Sequence, residues 1–286
     1  MKIQRVVFYV SRRTGAQQIA QECAQLLSRA GAALCAPQAY SRPVTLAPQV
    51  ELVPDGQAAA GADLALVIGG DGTILRATYD AAPLGIPILG INMGRLGFLS
   101  ELEPDEIHLL ENVLSGDYSI EQRMMLAASV EREGQTLFQA HALNDVCINR
   151  APDRKILSLD ILSDRQSIAR FRADGVIIST PTGSTAYSMS AGGPIIEPTL
   201  QNMTITPICA HGLYAKSFVL APQRRIRLEL VDSRGAMLIP DGRTGFSLNS
   251  HDSINICQSP YTARLVRIKG KSVYEVIRDK LNYDYT

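Results

Sequence analysis

The chain has 286 residues, 46% of them apolar, with 28 Lys+Arg against 28 Asp+Glu and a formal net charge of +0. That length and apolar content favour two domains over one, and the balanced charge excludes the basic field of a nucleic-acid binder or of a protein attracted to anionic membranes. Five scattered cysteines, Cys23, Cys35, Cys147, Cys209 and Cys257, include no C-x-x-C pair, so they read as small hydrophobes in a reducing compartment rather than as a zinc or disulfide framework.

In chain order, Val6 to Val10 is too short for a signal-peptide core and runs straight into Ser11-Arg12-Arg13, so it reads as a first strand. A helical run follows with Ile19, Cys23, Leu26 and Leu27 on one face, then a connection containing Pro37, Pro43 and Pro48. Leu64 to Ile68 and Ile86 to Ile91 lack the two-residue period of a surface strand, as expected of the buried centre of a parallel sheet, and Ile74 to Tyr79 between them is helical. Pro104 to Leu114 reads as a helix with proline in its first turn and acids near its start. Strand, helix and strand in this order define an α/β layer.

Beyond residue 122 short β-branched segments recur between Gly, Asp, Asn and Ser turns: Leu126 to Glu131 and Thr136 to Ala142 around Gly134-Gln135, Leu157 to Ser163, Val176 to Thr180, Ile226 to Val231, Ala236 to Pro240 and Ala263 to Lys269. This half is expected to be mostly β. Ser272 to Leu281 returns to helical spacing at Val273, Val276, Ile277 and Leu281, with the first layer as a partner for its apolar face. The division expected is 1–122, completed by a C-terminal helix at 271–286, and a β-rich domain at 123–270. No segment reaches the roughly eighteen uncharged apolar residues of a membrane span, so a soluble, cytoplasmic protein is expected.

Gly69-Gly70-Asp71-Gly72-Thr73 follows a buried strand and precedes a helix, where open α/β sheets bind ligands. Glycines let several N–H groups converge on an anion, helped by the positive end of the helix, so a phosphate fits. Asp71 would be repelled by that phosphate unless it coordinates Mg²⁺ or takes a proton from an attacking hydroxyl, and both uses belong to phosphoryl transfer. A tight turn stabilised by Asp71 is the structural alternative. A P-loop is absent, because Leu265 stands where Gly270-Lys271-Ser272 would need its first glycine, and no G-x-G-x-x-G fingerprint occurs.

The second stretch runs from Asp174-Gly175 through Thr180-Pro-Thr-Gly-Ser-Thr-Ala-Tyr187 and is too rich in hydroxyls and turn formers to be core. Thr182, Ser184 and Thr185 would offer hydrogen bonds to a purine edge or ribose, and Tyr187 a ring to stack on a base; a turn initiating a helix at Ala186 is the alternative. Ser190-Ala-Gly-Gly-Pro194 adds a second glycine corner. Asn144-Asp145 can bind a sugar diol or simply form a turn or bulge. His108, His141, His211 and His251 show no ligand spacing and no local triad, and no G-x-S-x-G elbow supports a nucleophile.

These stretches, with Asn92-x-Gly-x-Leu-Gly-Phe-Leu99 and Pro207-Ile-Cys-x-His211, resemble the bacterial NAD kinases over essentially the whole chain. The glycine loop alone is shared with diacylglycerol-kinase-like enzymes; joined to the Thr180 to Tyr187 stretch it is highly specific. The resemblance implies an α/β N-terminal domain plus a β-sandwich-like C-terminal domain, in a homotetramer or dimer. It implies phosphorylation of the 2′-hydroxyl of the adenosine ribose of NAD by ATP, or by polyphosphate, with Mg²⁺ or another divalent cation. Asp71 would be the general base and, with Gly72, contact NAD; Asn144, Asp145, Lys155, Arg172, Asp174, Thr185, Ala186, Tyr187, Ser190 and Arg243 would line the NAD site. Gly69, Gly70 and Thr73 would hold the donor phosphate. Three positions depart from the pattern: Asp145 replaces the usual Glu, Arg243 stands where Gln is common, and Ala210 replaces a usual Pro. Two other classes stay open, a lipid or sugar kinase sharing the loop and a non-catalytic NAD(P) sensor.

Overall fold

The computed structural model describes residues 3–40, 47–94, 97–151, 155–211, 216–231, 235–250, 252–270 and 273–281. The expectations that touch Pro43, Leu96, His251 and the ends of the 271–286 segment lie outside these residues. The chain forms two compact units: one holds the residues up to Gln122 together with those from Thr262 onward, and the other holds Arg123–Tyr261.

In the first unit β1 (Arg5–Val10) leads to α1 (Ala16–Arg29), followed by β2 (Ala33–Pro37), β3 (Val50–Val53) and β4 (Leu64–Gly69). Then come α2 (Asp71–Ala81), β5 (Pro87–Asn92) and α3 (Leu110–Ser115). The strands run parallel in the order β5, β4, β1, β2, β3. Every residue of β4 and β5 is buried, because helices cover both sheet faces. Val6, Phe8, Leu66 and Ile68 pack with Ala20, Cys23 and Leu27 of α1. On the other face Tyr9 donates to Asp80 of α2 at 3.1 Å.

The structure differs from sequence expectation in two places here. The proline-containing connection holds β2 and β3: Ala-Leu-Cys-Ala-Pro carries little strand signal of its own and is drawn into line by pairing with β1, and the four-residue Val-Glu-Leu-Val pairs in turn with β2. The helix expected at Pro104 to Leu114 is a 3₁₀ turn, Pro104–Leu109, followed by the short α3. The start is as the sequence indicates, with Pro104 in the first turn and a capping box between Glu103 and Glu106.

In the second unit β6 (Ser119–Arg132) and β7 (Gln135–Ala142) form a hairpin through Glu133-Gly134, both at positive φ. β8 (Asp145–Arg150), β9 (Leu157–Ser163), β10 (Gln166–Ala173) and β11 (Gly175–Ser179) follow, then the short α4 (Tyr187–Ser190). β12 (Met203–Ile208), β13 (Phe218–Leu220), β14 (Ile226–Leu230), β15 (Ala236–Pro240) and β16 (Phe246–Leu248) precede β17 (Ser253–Arg267), whose residues from Thr262 onward belong to the first unit, as does α5 (Val273–Leu281), which closes the described chain.

One antiparallel sheet has the order β13, β12, β11, β8, β15, β16; against it pack β10, β9, β14 and β17 with the β6–β7 hairpin. Their inward residues share one core, Val146, Ile148, Val176, Ile178 and Ile205 from the first and Leu126, Leu159, Ile161, Leu228 and Ile254 from the second. The sheet of the first unit gains one more parallel neighbour where Arg264 and Leu265 of β17 lie beside Pro87 and Ile88 of β5. The fold is therefore an α/β N-terminal domain with a mostly-β C-terminal domain.

Candidate active site

In the first unit the carboxyl ends of β1, β4 and β5 bring three loops together. Ser11 N–H donates to Ile68 O at 2.8 Å and Met93 N–H to Gly69 O at 3.1 Å, so the segments after β1, β4 and β5 are stitched side by side. Gly69 must be glycine: a Cβ there would stand 2.5 Å from Thr73 Oγ1. Gly70 caps α2 in an extended conformation with no side-chain cap hydrogen bond, and Asp71 occupies the first helical turn.

The Asp71 carboxylate accepts from Phe98 N–H at 3.0 Å and Leu99 N–H at 3.2 Å. The Asn92 to Leu99 motif is thus the seat that orients Asp71. Asn92, paired in register with Gly69, donates its amide N–H to Gly94 O at 3.1 Å and to Glu103 at 3.2 Å, which shapes the turn that carries those amides.

One cation beside this loop escaped sequence reading. Arg13 is exposed, donates to Met93 O at 3.4 Å, and sets its Nη2 3.7 Å from where a Gly70 Cβ would stand. Among the described residues no group of three His, Cys, Asp or Glu side chains could cage a metal ion. Mg²⁺ usually keeps several waters and takes one or two carboxylates plus substrate phosphates, so a loop with the single carboxylate of Asp71 fits an ion that arrives on a phosphate chain.

In the second unit the strand ends gather most of the other candidates. Asn144 immediately precedes β8 and Asp145 opens it, and Asp145 is opposite Ser179 at the end of β11, where the hydroxyl-rich loop begins. Thr180 locks the two together: its N–H donates to Asn144 O at 2.9 Å and its hydroxyl to Leu143 O at 2.6 Å. Gly183 packs so tightly on the Asn144 carbonyl that a Cβ would collide with it. On the other flank Asp241 accepts from the N–H groups of Leu143, Asn144 and Asp145 at 2.8, 2.8 and 3.1 Å.

The expectation that the hydroxyl loop of Thr182, Ser184 and Thr185 lies outside the core is corrected by the structure. All three are buried. Ser184 donates to Pro181 O at 2.6 Å, Thr185 to Thr182 O at 3.2 Å, and Thr182 accepts from Arg123 at 3.2 Å. These hydroxyls satisfy the polar groups of a tight buried turn, because an unpaired one there would cost about 1–3 kcal/mol. Their work is to hold Ala186 and Tyr187 at the rim; Tyr187 is 43% exposed. Ser190, at the end of α4, is exposed as well.

The electrostatics converge on Asp145. Burial, then the neighbouring Asp241 carboxylate, push its carboxyl from 3.8 up to about 7. Burial also pushes Asp241 upward, while the three amide donors and Arg243 pull against that. The Tyr187 phenol is raised by burial and then by surrounding negative groups that include Asp145 and Asp174, so these three share one neighbourhood.

Asp174 pairs with Arg150, Nε to Oδ1 at 2.6 Å, and the two line a cavity of about 370 Å³ with Ile156, Arg172 and His211. The main chains of Arg172 and His211 meet there, His211 N–H to Arg172 O at 2.7 Å. Arg243 donates to His141 O at 3.0 Å, and Lys155 stands exposed in the connection before β9. Arg150 and Asp241 are residues of this region to which sequence reading gave no role, and Thr180 was read only as the start of the hydroxyl-rich stretch. Only the Asp-Gly turn signal at 241–242 hinted at one of them.

A glycine loop carrying one carboxylate at the end of a parallel sheet, and a polar, aromatic-rimmed site on a β-sandwich, define the class of two-domain nucleotide kinases of α/β plus β architecture. The chain belongs to the ATP-NAD kinase family: the N-terminal domain model of that family matches residues 6–118 and the C-terminal domain model residues 143–268. NAD kinase of Symbiobacterium thermophilum is 45% identical over 231 residues, 80% of this chain and 82% of that one. The Carboxydothermus hydrogenoformans NAD kinase is 45% identical over 221 residues, 77% of this chain and 79% of its own. Among solved structures, yeast NADH kinase complexed with NADH superposes with a TM-score of 0.89 at 26% identity, over 100% of this chain and 89% of that one. An Archaeoglobus fulgidus NAD kinase in complex with ATP gives 0.72 at 26% identity, over 99% of each chain.

Proposed function

We propose that this chain transfers the γ-phosphoryl group of ATP to the 2′-hydroxyl of the adenosine ribose of NAD, yielding NADP and ADP. The observation that carries this reading is the Asp71 carboxylate, held in the glycine loop by the amides of Phe98 and Leu99 in a chain of the ATP-NAD kinase family. Asp71 takes the proton of the attacking hydroxyl, and Gly72 contacts the dinucleotide. Gly69, Gly70 and Thr73 hold the donor phosphates, and Arg13 adds positive charge beside them. With Asp71 as the nearby carboxylate, a divalent cation carried on those phosphates would supply charge neutralisation to the transfer.

On the acceptor side Asn144 and Asp145 bind sugar hydroxyls, and Thr185, Ala186, Tyr187 and Ser190 form the adenine pocket. Asp174 and Arg172 receive the nicotinamide end, with Lys155 and Arg243 as further contacts. Most of the rate comes from positioning and charge neutralisation, since phosphoryl transfer leaves little covalent work for the protein. Cytoplasmic residence and a homodimer or homotetramer belong to the same proposal.

The test is incubation of purified protein with NAD, Mg²⁺ and either ATP or polyphosphate, read by an NADP-specific dehydrogenase, for the native chain and for Asp71→Asn. The native chain is expected to form NADP. The variant is expected to keep its melting temperature and NAD affinity and to lose about 10²–10⁴ in kcat, the usual contribution of a general base. A near-native rate would remove Asp71 from the proton transfer.

A further inference from the structure

Asp241 takes no part in the mechanism as stated, yet its carboxylate accepts three backbone N–H groups from the segment that carries Asn144 and Asp145. It stands just past the end of β15, whose Pro240 is opposite Val146 of β8. Its φ is +47°, a left-handed conformation that Asp tolerates better than most residues, and this swings the side chain back over the start of β8. One oxygen there accepts from Leu143 N–H at 2.8 Å, and the other from Asn144 at 2.8 Å and Asp145 at 3.1 Å. Its own N–H donates to Asp145 O at 2.9 Å. Four hydrogen bonds therefore tie a single residue to three consecutive ones nearly a hundred positions away in the chain.

A neutral turn residue could not do this. Three N–H donors converging on one side chain need two acceptor oxygens with several lone pairs, which only a carboxylate supplies. The arrangement carries a penalty, because it puts a second carboxylate beside the buried Asp145. A fold that tolerates two neighbouring buried carboxylates gains a dinucleotide-facing pair whose backbone cannot rotate.

We infer that Asp241 is the positioning residue of the acceptor site: it fixes the backbone of Asn144 and Asp145 so that both side chains meet the ribose hydroxyls. Thr180 braces the same segment from the opposite flank through Leu143 O and Asn144 O, so Asp241 completes a two-sided clamp on Asn144. The inference rests on the reading of Asn144 and Asp145 as NAD contacts, and its test separates the two.

Asp241→Asn and Asp241→Ala are compared with the native chain in KM for NAD, KM for ATP, kcat, NAD affinity without ATP, and melting temperature. Asp241→Asn keeps one acceptor oxygen but turns its NH₂ toward an amide donor. It is expected to stay folded with a melting temperature lowered by about a few degrees, raise the KM for NAD and weaken NAD binding about tenfold, and leave the KM for ATP within about twofold. Asp241→Ala is expected to shift the NAD terms further in the same direction. Unchanged NAD binding in both folded variants overturns the inference. So does a parallel loss of every parameter with the melting transition, which assigns Asp241 to stability alone. A native chain that binds NAD but makes no NADP sinks the kinase reading while the binding comparison still decides Asp241; a native chain that does not bind NAD removes both.

Discussion

Asp145 shows how one residue's surroundings set its chemistry. It is 5% exposed, faces a second carboxylate, and has its carboxyl raised from 3.8 to about 7, so near neutral pH it holds a proton for much of the time. In that form it can donate a hydrogen bond as well as accept one, a versatility that an exposed, ionised Asp lacks. The same shift has a stability consequence with a definite sign. The folded chain keeps a proton that the unfolded chain releases near pH 3.8, so this group favours the fold below that pH and the contribution is lost as pH rises through about 7. Asp145→Asn removes the effect. Its melting temperature relative to the native chain is expected to climb between about pH 4 and pH 8, by an amount on the order of a few kcal/mol in stability. A difference that stays level across that range would show that Asp145 ionises as freely folded as unfolded.

Elements take their positions from contacts of this kind. The glycine loop is aimed by the packing of α2 on β5, and that packing depends on Gly90: a Cβ there would stand 2.6 Å from Ile74 Cδ1 and 3.1 Å from Ser100 Cα. Gly90→Ala should push the helix off the strand and destabilise by about 1–3 kcal/mol, the usual cost of overpacking. Ile74→Val deletes the offending methyl, so the double variant is expected to recover part of the loss in a denaturant-unfolding cycle. Strict additivity of the two changes would mean that the helix and strand do not meet through this pair. The element scale also explains why β2 and β3 escaped sequence reading. Ala-Leu-Cys-Ala-Pro carries neither a clean period nor β-branched residues, and it is a strand because its register with Arg5 to Val7 of β1 is available, not because of its own propensity.

Across the whole molecule the two units have separate cores. Leu66 is fully buried among residues of the first, and Leu228 among residues of the second. Replacing either by Ala should cost about 2–5 kcal/mol. Because stability in a protein of several cores need not be uniform, Leu66→Ala is expected to speed amide exchange chiefly in β1, β4 and β5, and Leu228→Ala chiefly in β9, β14 and β17. Equal acceleration everywhere in both variants would mean that the chain opens as one cooperative body. The residues of the proposed function follow the same division, with Asp71 and its glycine loop in the first unit and Asn144 and Asp145 in the second.

What the amino-acid order determined by itself was local. The α/β layer, the glycine loop between a buried strand and a helix, and a hairpin expected around Gly134-Gln135, which turns one residue earlier at Glu133-Gly134, are set by period, by glycine and by turn chemistry acting over a few residues. What only the tertiary structure decided was partnership between distant residues. Asp71 meets Phe98 across 27 positions, Thr180 meets Asn144 across 36, and Asp241 meets Asn144 across 97. The hydroxyls of Thr182, Ser184 and Thr185 turn inward for the same reason. A hydrogen bond between remote positions leaves no periodic trace in the chain, and burial of a polar loop becomes favourable only once the fold supplies acceptors for every donor it hides.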